Sequence, residues 1–366
     1  MRTDRCGDLR VDDVGRQVTL CGWVDRRREH GEHLAFIDLR DRSGVVQLVV
    51  DGAHDLRSEY VLQVSGTVRE RPADTANDSL VTGAVEIDAV EVTVLAAAEP
   101  PPFPIDERTD VDEMLRLKHR YVDLRRPRMQ RNLEVRAQVN SAVRGAMEEQ
   151  GFVEVETPML QSMAGGAAAR PFTTHHNALD IELSMRIAPE LYLKRLLVGG
   201  LPRVFEINRN FRNEGVDRTH NPEFTAMEVY EAFGDCWSML ELTESLLHEL
   251  AVASAADRRA RGDEEVGGTE EAPVLPFDGI PVDWARPFVQ VTYSELFQRA
   301  TGVDLRDEAA VRAKGIELGI ADAATRDHWL LVNVIFEDVA EPLIDPARPT
   351  FVTGYPSAIS PLTRPV

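Results

Sequence analysis

Pro100-Pro101-Pro102-Phe103-Pro104 divides the chain. Four prolines in five residues remove backbone donors and fix φ, so neither a helix nor an inner strand can run through them. The segment reads as a stiff linker. Before it, five β-rich runs follow one another at residues 18–24, 34–39, 45–50, 61–68 and 85–95. Five short strands separated by turns predict a small barrel or sandwich. After it the texture changes. Val135, Val139, Val143 and Met147 recur at helical spacing, and Gly151 stands where that helix would stop. Residues 152–158 read as a strand ended by Pro158. Residues 203–213 and 224–233 read as two strands around a loop, and 238–251 as a helix. The stretch 252–272, rich in charge, alanine and glycine, reads as an exposed insertion or flexible loop.

A length of 366 residues predicts two or three domains. No apolar run approaches the roughly 18 residues of a membrane span. Met1-Arg2-Thr3-Asp4-Arg5 leads into no signal-like stretch, so a cytoplasmic protein is expected. Cys6, Cys21 and Cys236 are odd in number and far apart, which suits a reducing compartment and no zinc knuckle. The net charge of -21 argues against a surface coated in basic groups. Two local basic concentrations stand out nonetheless. One is Arg26-Arg27-Arg28 with Arg40 and Arg42. The other is Arg116, Lys118, His119, Arg120, Arg125, Arg126, Arg128 and Arg131.

An aromatic ring beside a guanidinium and an amide is the equipment for reading an unstacked base. Phe36, Arg28 and Gln47 form such a set in the predicted barrel. The alternation in 34–39 does not settle which way Phe36 points, and on pattern alone a core Phe36 is the favoured reading. In 203–214 the faces separate more cleanly. Glu206, Asn208, Asn210, Arg212 and Glu214 share one face, and Phe205, Ile207, Arg209 and Phe211 the other. Paired antiparallel with Phe224, Ala226, Glu228 and Tyr230, the polar face is either solvated or the lining of a site.

Several phrases resemble class II aminoacyl-tRNA synthetases of the aspartate, asparagine and lysine subgroup. Cys21-Gly22-Trp23-Val24-Asp25-Arg26-Arg27-Arg28, Phe36-Ile37-Asp38-Leu39-Arg40-Asp41 and Arg120-Tyr121-Val122-Asp123-Leu124-Arg125-Arg126-Pro127 are similar to the anticodon-binding OB-fold of bacterial aspartyl enzymes. The resemblance implies an α+β chain: an OB-fold barrel over 1–99, a linker over 100–130, and a class II antiparallel-sheet catalytic domain over 131–366. It implies that Phe36 and Gln47, with Arg28, meet the central anticodon uridine of a tRNA. Phe211-Arg212-Asn213-Glu214-Gly215 and Thr219-His220-Asn221-Pro222-Glu223-Phe224 resemble motif 2. There Arg212 would clamp the ATP α-phosphate and the substrate carboxylate, a task suited to a forked guanidinium. Glu214 would hold the adenine amino group, His220 with Asn221 would meet the phosphates, and Phe224 would stack on adenine. Helix 133–150 and strand 152–158 resemble motif 1, which implies a homodimer.

The amino-acid pocket resembles lysyl enzymes. The phrases are Gly165-Gly166-Ala167-Ala168-Ala169-Arg170-Pro171-Phe172, His175-His176-Asn177-Ala178-Leu179-Asp180 and Arg186 to Arg195. Aspartyl enzymes usually carry Gln-Ser-Pro-Gln where this chain has Ala188-Pro189-Glu190. Glu190, Glu228 and Tyr230 offer two carboxylates and a hydroxyl, a composition that suits an ammonium group. Gly166 would leave room for a backbone contact to the substrate. The implied reaction is ATP- and Mg2+-dependent attachment of lysine to tRNA. Attachment of aspartate or asparagine, and a tRNA-binding module without catalysis, stand as alternatives. Two departures count. Ala358 stands where lysyl enzymes usually have Glu. Motif 3, with its γ-phosphate arginine and magnesium carboxylates, is expected beyond Val366, which makes this a truncated catalytic domain that forms no adenylate alone.

Overall fold

The computed structural model describes residues 1–30, 34–52, 55–217 and 219–360. The chain divides into two compact units, Met1–Leu133 and Glu134–Val366. In the first, strands β1 (Gln17–His30), β2 (Leu34–Asp41), β3 (Gly44–Asp51), β4 (Val61–Glu70) and β5 (Val85–Ala96) close into a barrel of order β1-β2-β3-β5-β4. Four of the ladders are antiparallel, and β3 with β5 is parallel. β1 pairs with β4 along its first half and with β2 along its second, and a register shift between Val24 and Arg26 provides the bend. Alternation then sorts the side chains. Leu20, Ile37, Leu39, Leu48, Leu62, Val64 and Ile87 fill the interior. Phe36 sits on the opposite side of β2 from Ala35 and Ile37, half-buried and outside that cluster, so the pattern-favoured core assignment is corrected.

The segment expected as a linker belongs to the barrel's compact unit. Residues 97–112 carry no helix or strand and lead into α1 (Glu113–Lys118), α2 (Arg120–Asp123) and α3 (Pro127–Glu149). Phe103 is buried. The Arg125 guanidinium lies 5.1 Å from the Trp23 ring centroid and donates to Glu59 at 2.6 Å, and Glu59 also accepts from Arg40 at 2.8 Å. Cation–π contact and a shared buried carboxylate fasten the segment to the barrel.

In the second unit, β10 (Arg203–Phe211) and β11 (Glu223–Glu231) form an antiparallel hairpin, so two strands stand where 203–213 and 224–233 were expected. Ahead of them lie β6 (Val153–Glu154), β7 (Leu160–Gln161), β8 (Thr173–His176), β9 (Ile181–Met185) and α4 (Glu190–Val198). The sheets run β11-β10-β6 and β7-β9-β8. β6 pairs parallel with β10 over Val153↔Val204 and Glu154↔Phe205 only, far less than the expected strand at 152–158. Pairing stops because the Thr157 N–H turns to the Glu206 carboxylate and Pro158 has no donor. The expected flexible stretch at 252–272 is also corrected. Helix α5 (Cys236–Ala260) continues nine residues into it, with Ala251 and Ala255 buried one turn apart, and β12 (Gly267–Gly268) pairs with β13 (Pro273–Phe277). Alanine is the best helix former and small enough to bring the helix close to its neighbours. The segment around Ala358 is described as far as Ser360, and residues 361–366 lie outside the described ones.

Gly66 sits at the register shift of β4 against β5, where a Cβ would stand 2.3 Å from the Asp88 carbonyl oxygen. Gly66→Ala is expected to lower stability by about 1–3 kcal/mol through overpacking of the ladder, read as a shifted denaturation midpoint with unchanged slope.

Candidate functional site

The hairpin register places Val204 opposite Tyr230, Glu206 opposite Glu228, Asn208 opposite Ala226 and Asn210 opposite Phe224. The polar face read from alternation is therefore real, and it is only partly exposed. Beneath it lies a buried ion pair. The Arg186 and Glu206 side chains are 0% and 1% exposed, with Nη1 to Oε1 at 2.7 Å. Arg186 Nε donates to the Arg209 carbonyl at 2.7 Å, and Nη1 donates to the Thr157 hydroxyl at 3.1 Å. Glu206 accepts from the Thr157 hydroxyl at 2.6 Å, its backbone N–H at 3.2 Å and Asn208 Nδ2 at 3.1 Å. Burial alone would raise the Glu206 pKa, but the hydrogen bonds from Thr157 and Arg186 outweigh it and hold it below the usual range.

Glu228 lies across the ladder from this pair and accepts from the Tyr230 hydroxyl at 3.0 Å. Burial raises the Glu228 pKa, and the Glu190 carboxylate adds to the rise while Arg186 opposes it. Burial, then the Glu228 charge, pushes the Tyr230 hydroxyl well above the usual phenol range, and Glu190 contributes there too. Glu190 opens α4, where Gly166 comes against it. At φ +88 Gly166 occupies the left-handed region, and a Cβ there would stand 2.8 Å from Glu190 Cβ. Gly166, Glu190, Glu228 and Tyr230 are thus brought together as a half-buried acidic pocket.

At the far end of the same face, Arg212 follows β10. Its guanidinium lies 5.1 Å from the Phe224 centroid, and its buried Nε has no hydrogen-bond partner among the described residues. An orphaned donor on a forked cation is a ready anion clamp. The strand ends at Phe211, so Glu214 does not share the surface of Glu228 and Tyr230. It lies exposed in the connecting turn, as do His220 and Asn221. His220 Nδ1 is held by Asp217 Oδ2 at 2.9 Å. The Thr219 N–H first, then the His220 ring, hold the Asp217 pKa well below the carboxylate range. Among the described residues, no group of three or more His, Cys, Asp and Glu is placed to hold a metal ion.

In the first unit, Arg28, Phe36 and Gln47 line one groove of about 450 Å³ with Arg69, Arg71 and Glu86. Arg28 Nη2 donates to Asp38 at 2.7 Å and to Gln47 Oε1 at 3.0 Å, and Gln47 Nε2 donates to Glu86 at 2.8 Å. The amide is thus oriented by partners on both sides, beside an aromatic ring.

Both units have known relatives. Residues 112–366 match the family of tRNA synthetases class II (D, K and N), and residues 18–95 match the OB-fold nucleic acid binding domain. The chain belongs to the class II tRNA synthetases and carries their OB-fold domain. It is 37% identical over 362 residues to a lysine--tRNA ligase of Carboxydothermus hydrogenoformans, spanning 96% of this chain and 69% of that protein. It is 39% identical over 365 residues to the lysine--tRNA ligases of Serratia proteamaculans and Escherichia coli, spanning 97% of this chain and 68% of each.

Sequence reasoning missed three contributors. Lys194, one helical turn after Glu190, pairs with it, and the i,i+4 spacing was the available signal. Arg69 donates to Glu86 at 2.8 Å in the barrel groove, which follows from a ladder register no single sequence displays. Arg186 stands out in the sequence only as part of a phrase. Glu206→Gln is expected to cost about 3–5 kcal/mol at neutral pH by stranding the buried Arg186 charge. Because the Glu206 pKa is depressed, its stabilisation is present above the unfolded carboxylate pKa and is lost as pH falls through the folded one. The gap between variant and parent in urea denaturation should therefore close in acid.

Proposed function

We propose that this chain carries the lysine pocket, the motif 2 clamp and the tRNA-reading barrel of a ligase that attaches lysine to tRNA by way of lysyl-adenylate. The observation that carries the reading is the meeting of Glu190, Glu228 and Tyr230 over the Arg186–Glu206 pair. Three carboxylates stand against the buried Arg186 guanidinium and the half-exposed Lys194 ammonium that pairs with Glu190, which leaves the pocket one positive charge short. A lysine ammonium supplies it, whereas an aspartate side chain would add like charge, which is costly in a half-buried site. Arg212, at the other end of the face, is the group for the lysine carboxylate and the ATP α-phosphate. In the reaction a carboxylate oxygen attacks the α-phosphorus, the bond to the bridging oxygen breaks and pyrophosphate leaves. Positioning and charge stabilisation suffice, with no protein nucleophile. Phe224 is the ring for adenine, and Glu214, His220 and Asn221 belong to a turn that closes on the nucleotide. Magnesium, when bound with ATP, would neutralise part of the triphosphate charge.

The barrel is the tRNA-reading half. Phe36 offers the stacking face, Gln47 the amide for a base edge and Arg28 the neighbouring cation. A homodimer through α3 and β6 accounts for Leu133, Val139 and Val153, which are all exposed apolar residues. No helix among the described residues is long and apolar enough to cross a membrane. A reaction on ATP and tRNA belongs in the cytoplasm.

Lysine should raise the melting temperature of the purified chain, and aspartate should not; equal stabilisation by aspartate would sink the lysine assignment. Glu228→Gln should weaken lysine binding by about 2–5 kcal/mol in calorimetry, the cost of unpairing a buried charge. The Glu228 pKa is raised, and only its ionised form accepts an ammonium, so lysine affinity should increase with pH through that raised pKa. Phe36→Ala should weaken binding of an anticodon stem-loop by roughly 1–3 kcal/mol, one stacked base, without loss of the barrel's circular dichroism.

A further inference from the structure

Glu190 already meets an ammonium, and it is one the chain supplies itself. α4 begins at Glu190, and Lys194 stands one helical turn further along the same face. The Lys194 Nζ contacts Glu190 Oε1 directly and has no second acceptor among the described residues. An i,i+4 pair on a helix surface is common and contributes little to stability. The surroundings of this one are less common.

The two side chains are unequally buried. Lys194 is 54% exposed and Glu190 20%, so the ammonium lies at the rim and the carboxylate inside it. The two carboxylate oxygens are also unequally engaged. Oε1 holds the ammonium. Oε2 accepts no hydrogen bond among the described residues and lies 3.3 Å from where a Cβ on residue 166 would stand. A side chain at 166 would cover Oε2, and Gly166 leaves it uncovered. The Glu190 charge is felt inward, where it adds to the raised pKa of Glu228 and of Tyr230, while Lys194 is not among the leading influences on either. The ammonium thus stands on the outer side of the carboxylate, away from the groups beneath. A glutamate carboxylate turns easily about its last bond, so its oxygens have no fixed aim of their own. A charge-assisted bond to one oxygen fixes the direction of the other.

We propose that Lys194 is a positioning residue of this pocket: it holds Glu190 by Oε1 from outside, so that Oε2 is presented to an ammonium of the incoming amino acid. The role rests on the lysine reading of the pocket. It also carries a sign that charge alone would reverse. Removing a cation beside a site for a cation should, by Coulomb's law, strengthen binding. Loss of a pre-ordered carboxylate weakens it.

The test is calorimetric titration of the full chain with lysine, comparing the parent with Lys194→Met, Lys194→Arg, Glu190→Gln and the double variant Glu190→Gln/Lys194→Met. Methionine keeps the length and helix preference of the side chain and removes only the charge. Lys194→Met should weaken lysine binding roughly three- to tenfold, the worth of one pre-ordered side chain. Its melting temperature should stay close to the parent's, and Lys194→Arg should restore most of the affinity. In the Glu190→Gln background, Lys194→Met should have no further effect, because nothing is left to position. Tighter binding by Lys194→Met overturns the proposal, since Lys194 then competes with the ligand for Glu190. Unchanged affinity, or an equal loss in both backgrounds, overturns it as well. Where Glu228→Gln weakens lysine binding and Lys194→Met does not, the pocket stands and the positioning role alone falls. A parent that binds no lysine, or binds aspartate equally, brings down the pocket reading and this role with it.

Discussion

The catalytic unit depends on one buried ion pair, Arg186 with Glu206. Burying two charges is costly, and hydrogen bonds from Thr157 and Asn208 and to the Arg209 carbonyl offset that cost, while the buried Arg186 Nη2 has no partner among the described residues. The pair and its partners come from three stretches apart in sequence: the segment after β6, the turn into α4 and the middle of β10. The pair therefore acts as a polar rivet between them. It also sets the chemistry above it. Arg186 partly restrains the rise in the Glu228 pKa, yet its charge is already spoken for by Glu206. In the proposed lysine pocket, Glu190 and Glu228 thus lie over a cation that is already engaged.

The two candidate sites use the pleat in the same way. On β2, Ala35, Ile37 and Leu39 go inward while Phe36 faces the groove. On β10, Phe205 is buried in the core while Asn208 and Arg209 take opposite faces. In both places a rigid ladder holds the functional side chains, and a hydrogen-bond partner fixes their orientation: Glu86 on the neighbouring strand for Gln47, and Tyr230 two residues along the same strand for Glu228. Loop residues are less settled. The motif 2 turn satisfies itself through Asp217, which binds the Thr219 and His220 N–H groups at 2.7 Å each. Such a turn is held by local bonds that a triphosphate would have to replace.

Local features of the fold are legible in the sequence, and long-range ones much less so. The five barrel strands and the hairpin faces follow from period-two alternation, and Gly151 does end α3 with a positive φ. The direction of Phe36 does not follow, because Leu34 to Leu39 is apolar at both parities and only the ladder with β1 and β3 decides it. The strand at 152–158 shrinks to two residues because Thr157 finds a better acceptor in Glu206 than in a neighbouring backbone. Alanine-rich 252–260 resembles a loop beside its charges, yet tertiary packing of Ala255 holds it helical. Glu190 and Glu228 lie 38 positions apart and are joined in the sequence only through a family resemblance. The effect of Glu190 on the Glu228 pKa comes from the α4–β11 juxtaposition, which alternation does not encode.

The barrel's closure has a consequence of its own. With β4 returning to β1, every strand has two neighbours, and the shortest seam is the three-residue ladder of β3 with β5. An incoming strand from another polypeptide finds only short stretches of backbone to continue. The barrel can thus present an aromatic ring and a string of guanidiniums to solvent, a surface that would invite sticking on an open sheet, while most of its strand backbone is already paired.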